Sequence, residues 1–516
     1  MSERDGGEFY SDRPMRSSRQ PSRLSPLVVV LALVASASAA RAGALERGAA
    51  ISDPLTLREL DLRERVDIDL NGRGLGLAAM LGAPSGASSA DIFALPSMRS
   101  LRAVLDREFE DYNARRDSAG GLSSLQLFDR NALYSPQTRF ILAGIVNRMD
   151  RAFKAPETCG EIRLIYRPVA NYGKPAKKGI TTSSRLPMTV NVILNARSEG
   201  ERQIASCAEI ARRWLAIGDQ TESGAGFAVK LMTKGGVLES VTPAHIARIE
   251  TNIQIAHASA DPNDFEARAD YLMKVFDYDA SSKTFAESVM ENQIDRDRIL
   301  ADPALANELR QWLLAPGNFT ALDRGIVLVP DKFLARRTIV TTPATASNTQ
   351  GIFADIEVVE TLAKFASKDA TLQNIKSPAG FERRLNDITC AGCHQTRAIG
   401  GFHFPGTDWS GDAPSFVVAP ASPHFFGDQP RRRDILAAFR DTKPLDFSRG
   451  FSARPQQRRS GELSGTTYVN GWGAHCYAAP ADKSFASWTC AEGLTCQIAP
   501  GGASATRAGL CFPKAD

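Results

Sequence analysis

Apolar residues recur at helical spacing after Pro96, where Met98, Leu101, Leu105, Phe109 and Tyr112 share one face and predict a helix. Phe140 to Val146 is a second apolar stretch, leading toward Cys159. Ile162-Arg163-Leu164-Ile165-Tyr166 and Thr189-Val190-Asn191-Val192-Ile193-Leu194, bounded by Pro and Gly, predict strands. Between Cys207 and Ala216 the period returns to helical, with Ile210, Trp214 and Leu215 on one side. Asp302-Pro303 opens another helix, a cap followed by Pro at its first position, and Leu305, Leu309, Trp312 and Leu313 form its stripe. Ile326-Val327-Leu328-Val329 predicts a further strand, and Val358, Leu362 and Phe365 one more helix. Residues 43 to 95 show no comparable pattern; they are rich in Gly and Ala around Asn71-Gly72-Arg73-Gly74 and read as loosely organised. Helices and strands alternate without a βαβ rhythm and without internal repeats. The expected class is α+β.

The first residues carry a different pattern. Arg13, Arg16, Arg19 and Arg23 precede an apolar run from Leu27 to Ala35, too short to span a bilayer, and Ala40-Arg41-Ala42 offers a small-x-small cleavage site. This is the layout of a secretory signal; the alternative is a buried N-terminal core helix. The expectation is removal of residues 1–42 and a periplasmic or extracellular protein with no integral membrane segment after cleavage. A net charge of +4 over 516 residues is close to neutral and argues against nucleic acid as the main partner.

Eight cysteines sharpen the picture. Cys476, Cys490, Cys496 and Cys511 crowd into residues 471–516, the spacing of a small stapled tail module, with three pairings open to them. Cys159 and Cys207 are expected to pair. That leaves Cys390 and Cys393, in Cys390-Ala391-Gly392-Cys393-His394.

This C-x-x-C-H string resembles the haem-attachment site of c-type cytochromes. Composition alone would produce it in roughly one of 700 such chains. In that family the two thiols add to the vinyl groups of one haem, and the following His binds the iron. The resemblance covers these five residues and implies one covalent haem c on Cys390 and Cys393, with His394 as proximal ligand. The familiar small cytochromes take a later Met as second ligand. No Met follows Met290 here, so that arrangement fails. His403 and His424, each set among Phe and Pro, are the candidate distal ligands; an iron without one would be open to peroxide or oxygen. His475 is a weaker candidate, and His245 and His257 read as structural. Residues 390–404 and the later Ser-Pro-His-Phe are also similar to exported bacterial proteins, a likeness that supplies no activity.

Other readings stay open at this point. Cys390, Cys393, His403 and His424 could form a zinc set, although the gap between the histidines is far from the usual spacing. A redox dithiol lacks the βαβ unit that normally precedes one. The arginines after the motif (Arg431, Arg432, Arg433, Arg440 and Arg449, with Arg454, Arg458 and Arg459) suit haem propionates, an acidic redox partner, or a merely solvated face.

The expected organisation is therefore a signal (1–42), an α+β body (43–376), a haem c segment (377–470) and a cysteine-rich tail (471–516). The expected function is electron transfer with a redox partner protein, or haem-based oxidoreductase chemistry on a small-molecule substrate. No catalytic residue is singled out and enzymatic activity is left undecided. The second class would explain the large upstream body, which electron transfer alone does not. The alternative is a disulfide-stapled binding or structural protein in which Cys390 and Cys393 form a plain disulfide.

Overall fold

Alternating residues in the middle of the chain build one antiparallel sheet. In the computed structural model the chain divides into Met1–Gly43 and Ala44–Asp516. The structure describes residues 50–51, 53–62, 74–84, 86–118, 130–170, 184–197, 206–217, 222–257, 268–342, 349–367, 372–389, 407–408, 417–418, 423–449, 475–477, 489–490, 494–497 and 508–513. All of them lie in the second unit.

The sheet consists of β1 (Ala50–Ile51), β2 (Arg139–Arg148), β3 (Glu161–Ala170), β4 (Ser184–Arg185), β5 (Met188–Asn195), β6 (Ile246–His257), β7 (Arg268–Asp279), β8 (Thr284–Ser288) and β9 (Thr338–Thr342). Their order is β1-β2-β3-β5-β6-β7-β8, with β4 on β3 and β9 on β7. The larger helices are α1 (Pro54–Leu62), α2 (Arg99–Ser118), α3 (Cys207–Ile217), α4 (Gly224–Met232), α5 (Arg296–Ala301), α6 (Pro303–Leu314), α7 (Pro316–Arg324), α8 (Asp355–Ala366), α9 (Pro378–Asp387) and α10 (Pro423–Arg440). The fold is α+β, as the sequence implies. Residues 50–62 and 74–94 are more regular than expected: besides β1 and α1 they hold helices Leu77–Leu81 and Ser89–Ala94, the latter opened by a Ser88–Asp91 capping box. Both are too short to display a repeating stripe.

Register decides what each face of the sheet carries. Leu164 of β3 pairs with Val192 of β5, Val192 with Ile249 of β6, and Ile249 with Phe276 of β7. These residues join Leu101, Leu105 and Phe109 of α2, Trp214 of α3 and Leu231 of α4 in one core. One strand position along, the row reads Arg163, Ile193, Arg248, Asp277. Side chains alternate along a strand, so this charged row faces the opposite way. On the core side β7 carries Asp270, which accepts from the Tyr112 hydroxyl at 2.7 Å, and Lys274, which is wholly buried and held by Glu108 of α2 and Glu287 of β8.

The expected Cys159–Cys207 disulfide is present, with Cα atoms 5.4 Å apart, and it fixes the entry to β3 against the start of α3. Gly160 follows with φ of +88°; a Cβ there would sit 2.7 Å from the carbonyl oxygen of Arg148. Only glycine fits where these two chains cross.

A second core gathers Ile299, Leu309, Leu313, Phe319, Leu322, Phe333, Val358, Phe381 and Leu385 from α5 to α9 and their connections. The helix at Asp302 begins as expected, with the Asp302 carboxylate accepting from the amides of Ala304 and Leu305. The strand expected at Ile326–Val329 does not form. Asn292 takes the place of a neighbouring strand: its side-chain amide donates to the carbonyl of Val327 at 3.0 Å and accepts from the amide of Val329 at 2.9 Å. The alternation remains, since Val327 and Val329 are buried and Leu328 is exposed.

In the tail, strands His475–Tyr477, Leu494–Gln497 and Ala508–Pro513 form a small antiparallel sheet. Cys476 is bonded to Cys496, and Cys490 is also in a disulfide. Among the described residues, no helix is long and apolar enough to cross a membrane.

Candidate functional site

The polar face of the sheet is partly covered. The chain from Met290 onward returns over it and bounds an open cavity of about 820 Å³, whose lining includes Val327 to Asp331, Leu334, Ile388 and Thr389. This volume is in the range of small-molecule sites, roughly 300–1,000 Å³.

Cross-strand geometry builds a lattice of ion pairs along this face. The Glu161 carboxylate accepts from Arg163 at 2.9 Å, lies 3.1 Å from Nε of Arg151, and is also bound by Arg248. Glu250 lies between Arg163 and Arg248, each at 3.1 Å. Arg151 reaches on to Glu291, which also accepts from Lys154 at 2.9 Å. Beside this lattice, Asp150 accepts from Arg148 at 2.8 Å and from Arg431 of α10 at 2.8 Å.

Burial raises all four acids, and the neighbouring cations outweigh it. Arg151, Arg248 and Arg163 hold Glu161 well below the ordinary carboxylate range. Arg148, Arg432 and Arg431 do the same for Asp150. Arg163 with Arg248 lowers Glu250, and Arg151 with Lys154 lowers Glu291. Burial also works to lower Arg151, and there Glu291 and Glu161 prevail and raise it. The four carboxylates are therefore ionised at neutral pH.

Beside the charged residues lies a neutral patch. Asn191 of β5 and Asn252 of β6 line the cavity, and the buried side-chain carbonyl oxygen of each has no hydrogen-bond partner. Next to them Tyr271, Met273 and Val275 of β7 form an apolar cluster with Met290. The cavity thus combines positive charge, amide acceptors and an apolar wall.

The last helix before the cysteine motif is fastened to this wall. Pro378 starts α9 behind its Ser377 cap. Arg384, entirely buried, donates to the carbonyls of Leu322 at 3.1 Å, of Asp323 at 2.9 Å and of Arg449. The Asp323 carboxylate accepts from three successive amides, Gln373, Asn374 and Ile375, each at 2.7 Å. Gly325 closes α7 with φ of +73° and comes so near Arg384 that a Cβ would lie 2.6 Å from the guanidinium. These contacts set Ile388 and Thr389 in the cavity lining.

The residue after Thr389 is Cys390. Cys390, Cys393, His394 and His403 lie outside the described residues, and His424 is on α10 at a position where only the backbone is described. Among the described residues, the approach to the motif, Ile388 and Thr389, reaches the cavity. Of the arginines beyond the motif, Arg431 is bound to Asp150, Arg432 is buried in the lining, Arg449 is also in the lining, and Arg440 pairs with Asp441 on the surface. Part of that run is thus structural and buried rather than a solvated face. His245 is buried in a short 3-10 turn, and burial lowers its pKa. Among the described residues, no group of three or more His, Cys, Asp or Glu is placed to hold a metal ion.

Glu161, Arg163, Arg248, Glu250, Asn191 and Asn252 were not expected as site residues. Their alternation with apolar neighbours is visible in sequence, but the same pattern describes a strand with one face in water. Comparison with protein-family models, with curated proteins and with solved structures finds no match for the chain.

Proposed function

We propose that this is an exported mono-haem c-type protein carrying out redox chemistry at a haem joined to Cys390 and Cys393, beside a cavity suited to a small-molecule substrate. One observation carries the reading: Thr389, the residue before Cys390, lines the cavity. A five-residue motif anchored at that point delivers its cofactor to the cavity's edge. His394 is the proximal ligand in this reading, and His403 or His424 the distal one.

The surroundings of Thr389 suit such a group. A haem presents an apolar ring and two carboxylates; the lining offers Val327 and Val329 for the first and the guanidinium groups of Arg432 and Arg449 for the second. The bound haem would supply one-electron transfer to or from its iron. The chain's own residues do the rest: α9 fixes the tether, Arg384 and Asp323 hold α9, and the ion lattice sets a positive field in the cavity. Disulfides at Cys159–Cys207 and Cys476–Cys496 support an oxidising compartment.

The test is a pyridine haemochrome spectrum together with intact mass, on protein exported from a host with c-type maturation. A c-type band and the mass of one haem are expected, with the band lost in Cys390→Ala and reduced in His394→Ala. A colourless protein at apo mass, from a host that matures a control cytochrome, would reject the haem. It would leave the disulfide-stapled binding protein. Ferric spin state then separates the two redox classes: low-spin for electron transfer, high-spin for an open, substrate-facing iron.

A further inference from the structure

From the cavity alone, with no dependence on the haem, we infer that this site binds an amphipathic organic anion bearing a hydrogen-bond donor. Three features of the lining each specify one part of that ligand.

The charge comes from the lattice. Arg151, Lys154, Arg163 and Arg248 share the three carboxylates Glu161, Glu250 and Glu291. Around Asp150 stand Arg148, Arg431 and Arg432. Among the described residues that line the cavity nine are cationic and four acidic, and low-dielectric walls concentrate the resulting positive field. An anion entering it offsets that excess.

The donor comes from the neutral patch. The carbonyl oxygens of Asn191 and Asn252 are buried acceptors with no partner. Leaving such atoms unsatisfied is costly, so a ligand hydroxyl or N–H placed against them gains more than it would in water. The apolar body is set by Tyr271, Met273, Val275 and Met290. A small inorganic anion would leave that surface uncovered, and a hydrocarbon would leave the arginines and amides unmatched. At about 820 Å³ the space suits a molecule with fused or linked rings rather than a simple carboxylate.

The probe is 8-anilinonaphthalene-1-sulfonate, which carries a sulfonate, one N–H and an apolar ring system. N-Phenyl-1-naphthylamine has the same rings and N–H without the charge. Equilibrium dialysis against each measures affinity and stoichiometry. The expected result is one sulfonate per chain, bound about tenfold or more tighter than the neutral amine. Asn191→Leu with Asn252→Leu should weaken it by about tenfold or more while Tm holds. If that pair fails to fold, Val275→Trp, which fills the cavity from β7, should weaken binding instead. Equal affinity for the two probes, many sulfonate molecules per chain, no binding at all, or cavity variants that bind as the unchanged protein does would each overturn the inference. The experiment is run on the exported protein and on Cys390→Ala/Cys393→Ala. Binding in both upholds a ligand site of its own, whether or not the first carries haem. Binding only in the cysteine variant would show that the cavity belongs to the cofactor, and would overturn it.

Discussion

Replacing Glu161 by Gln probes the lattice at its most connected point. The Glu161 side chain is 9% exposed and bound by three guanidinium groups, Arg151, Arg163 and Arg248. The amide keeps the shape and removes the charge, so these three arginines are left sharing Glu250 and Glu291. Breaking a buried ion pair by removing one partner costs about 3–5 kcal/mol, because the remaining charge stays desolvated. For a unit as long as Ala44–Asp516, an unfolding entropy of about 1 kcal/mol/K converts this to a Tm lowered by about 3–5 °C. Glu209→Gln is the matched control: its carboxylate also binds two arginines, Arg212 and Arg213, but its side chain is 32% exposed. Exposed pairs contribute up to about 1 kcal/mol, so its Tm should move by about 1 °C or less. Calorimetry at pH 7 on the exported protein measures both. Combining Glu161→Gln with Arg248→Gln should recover about 0.5–3 kcal/mol of the summed losses. Equal shifts for Glu161→Gln and Glu209→Gln would refute the view that the sheet's covered face depends on this lattice.

The lattice also sets a pH dependence. Glu161, Glu250, Glu291 and Asp150 all have folded pKa values below their unfolded ones. Their stabilisation is complete above the unfolded values and is lost as pH falls toward the folded ones. Tm is thus expected to hold from pH 7 to about 5 and to fall below that, and a Tm unchanged down to about pH 3 would contradict it. Removing the Cys159–Cys207 bond by Ala substitutions opens a 48-residue loop and should cost about 4 kcal/mol in denaturant titration. Asn292→Ala withdraws partners from two buried backbone groups, at Val327 and Val329, and should cost about 2–4 kcal/mol; a loss under about 0.5 kcal/mol would mean the segment is held by burial alone.

The elements most legible in sequence are those with one buried stripe and a defined start. The helix after Pro96, the strands at Ile162 and Thr189 and the capped helix at Asp302 all announce themselves this way, and so does the Cys159–Cys207 pair. The two longest strands, β6 and β7, did not. Charged residues take the second position of their alternation, as in Arg248-Ile249-Glu250, so apolar content alone leaves them inconspicuous. At Ile326–Val329 the alternation was right and the partner was wrong, because an asparagine side chain can satisfy backbone groups that usually bind another strand. For the site the limit lies deeper. Periodicity reports which residues share a face, but whether water or a later stretch of the chain covers that face depends on contacts that no local window contains. The C-x-x-C-H string is legible for the opposite reason, since its chemistry is contained in five consecutive residues.

Arg384 joins the two ends of a long excursion of the chain. Its guanidinium binds the carbonyls that finish α7 and also the carbonyl of Arg449, 65 residues further on, while the Arg449 amide donates to the Arg324 carbonyl at 2.8 Å and Arg324 reaches Ser448 and Asp446. The chain thus leaves at Thr389 and returns at Ser448 beside the end of α7, and α10, between these points, is tied to the sheet side of the cavity through Arg431 and Asp150. This clasp fixes both ends of the excursion on α7, beside the cavity lining at Thr389 and Arg449. Loss of the Arg384 guanidinium would therefore release both ends of the excursion at once.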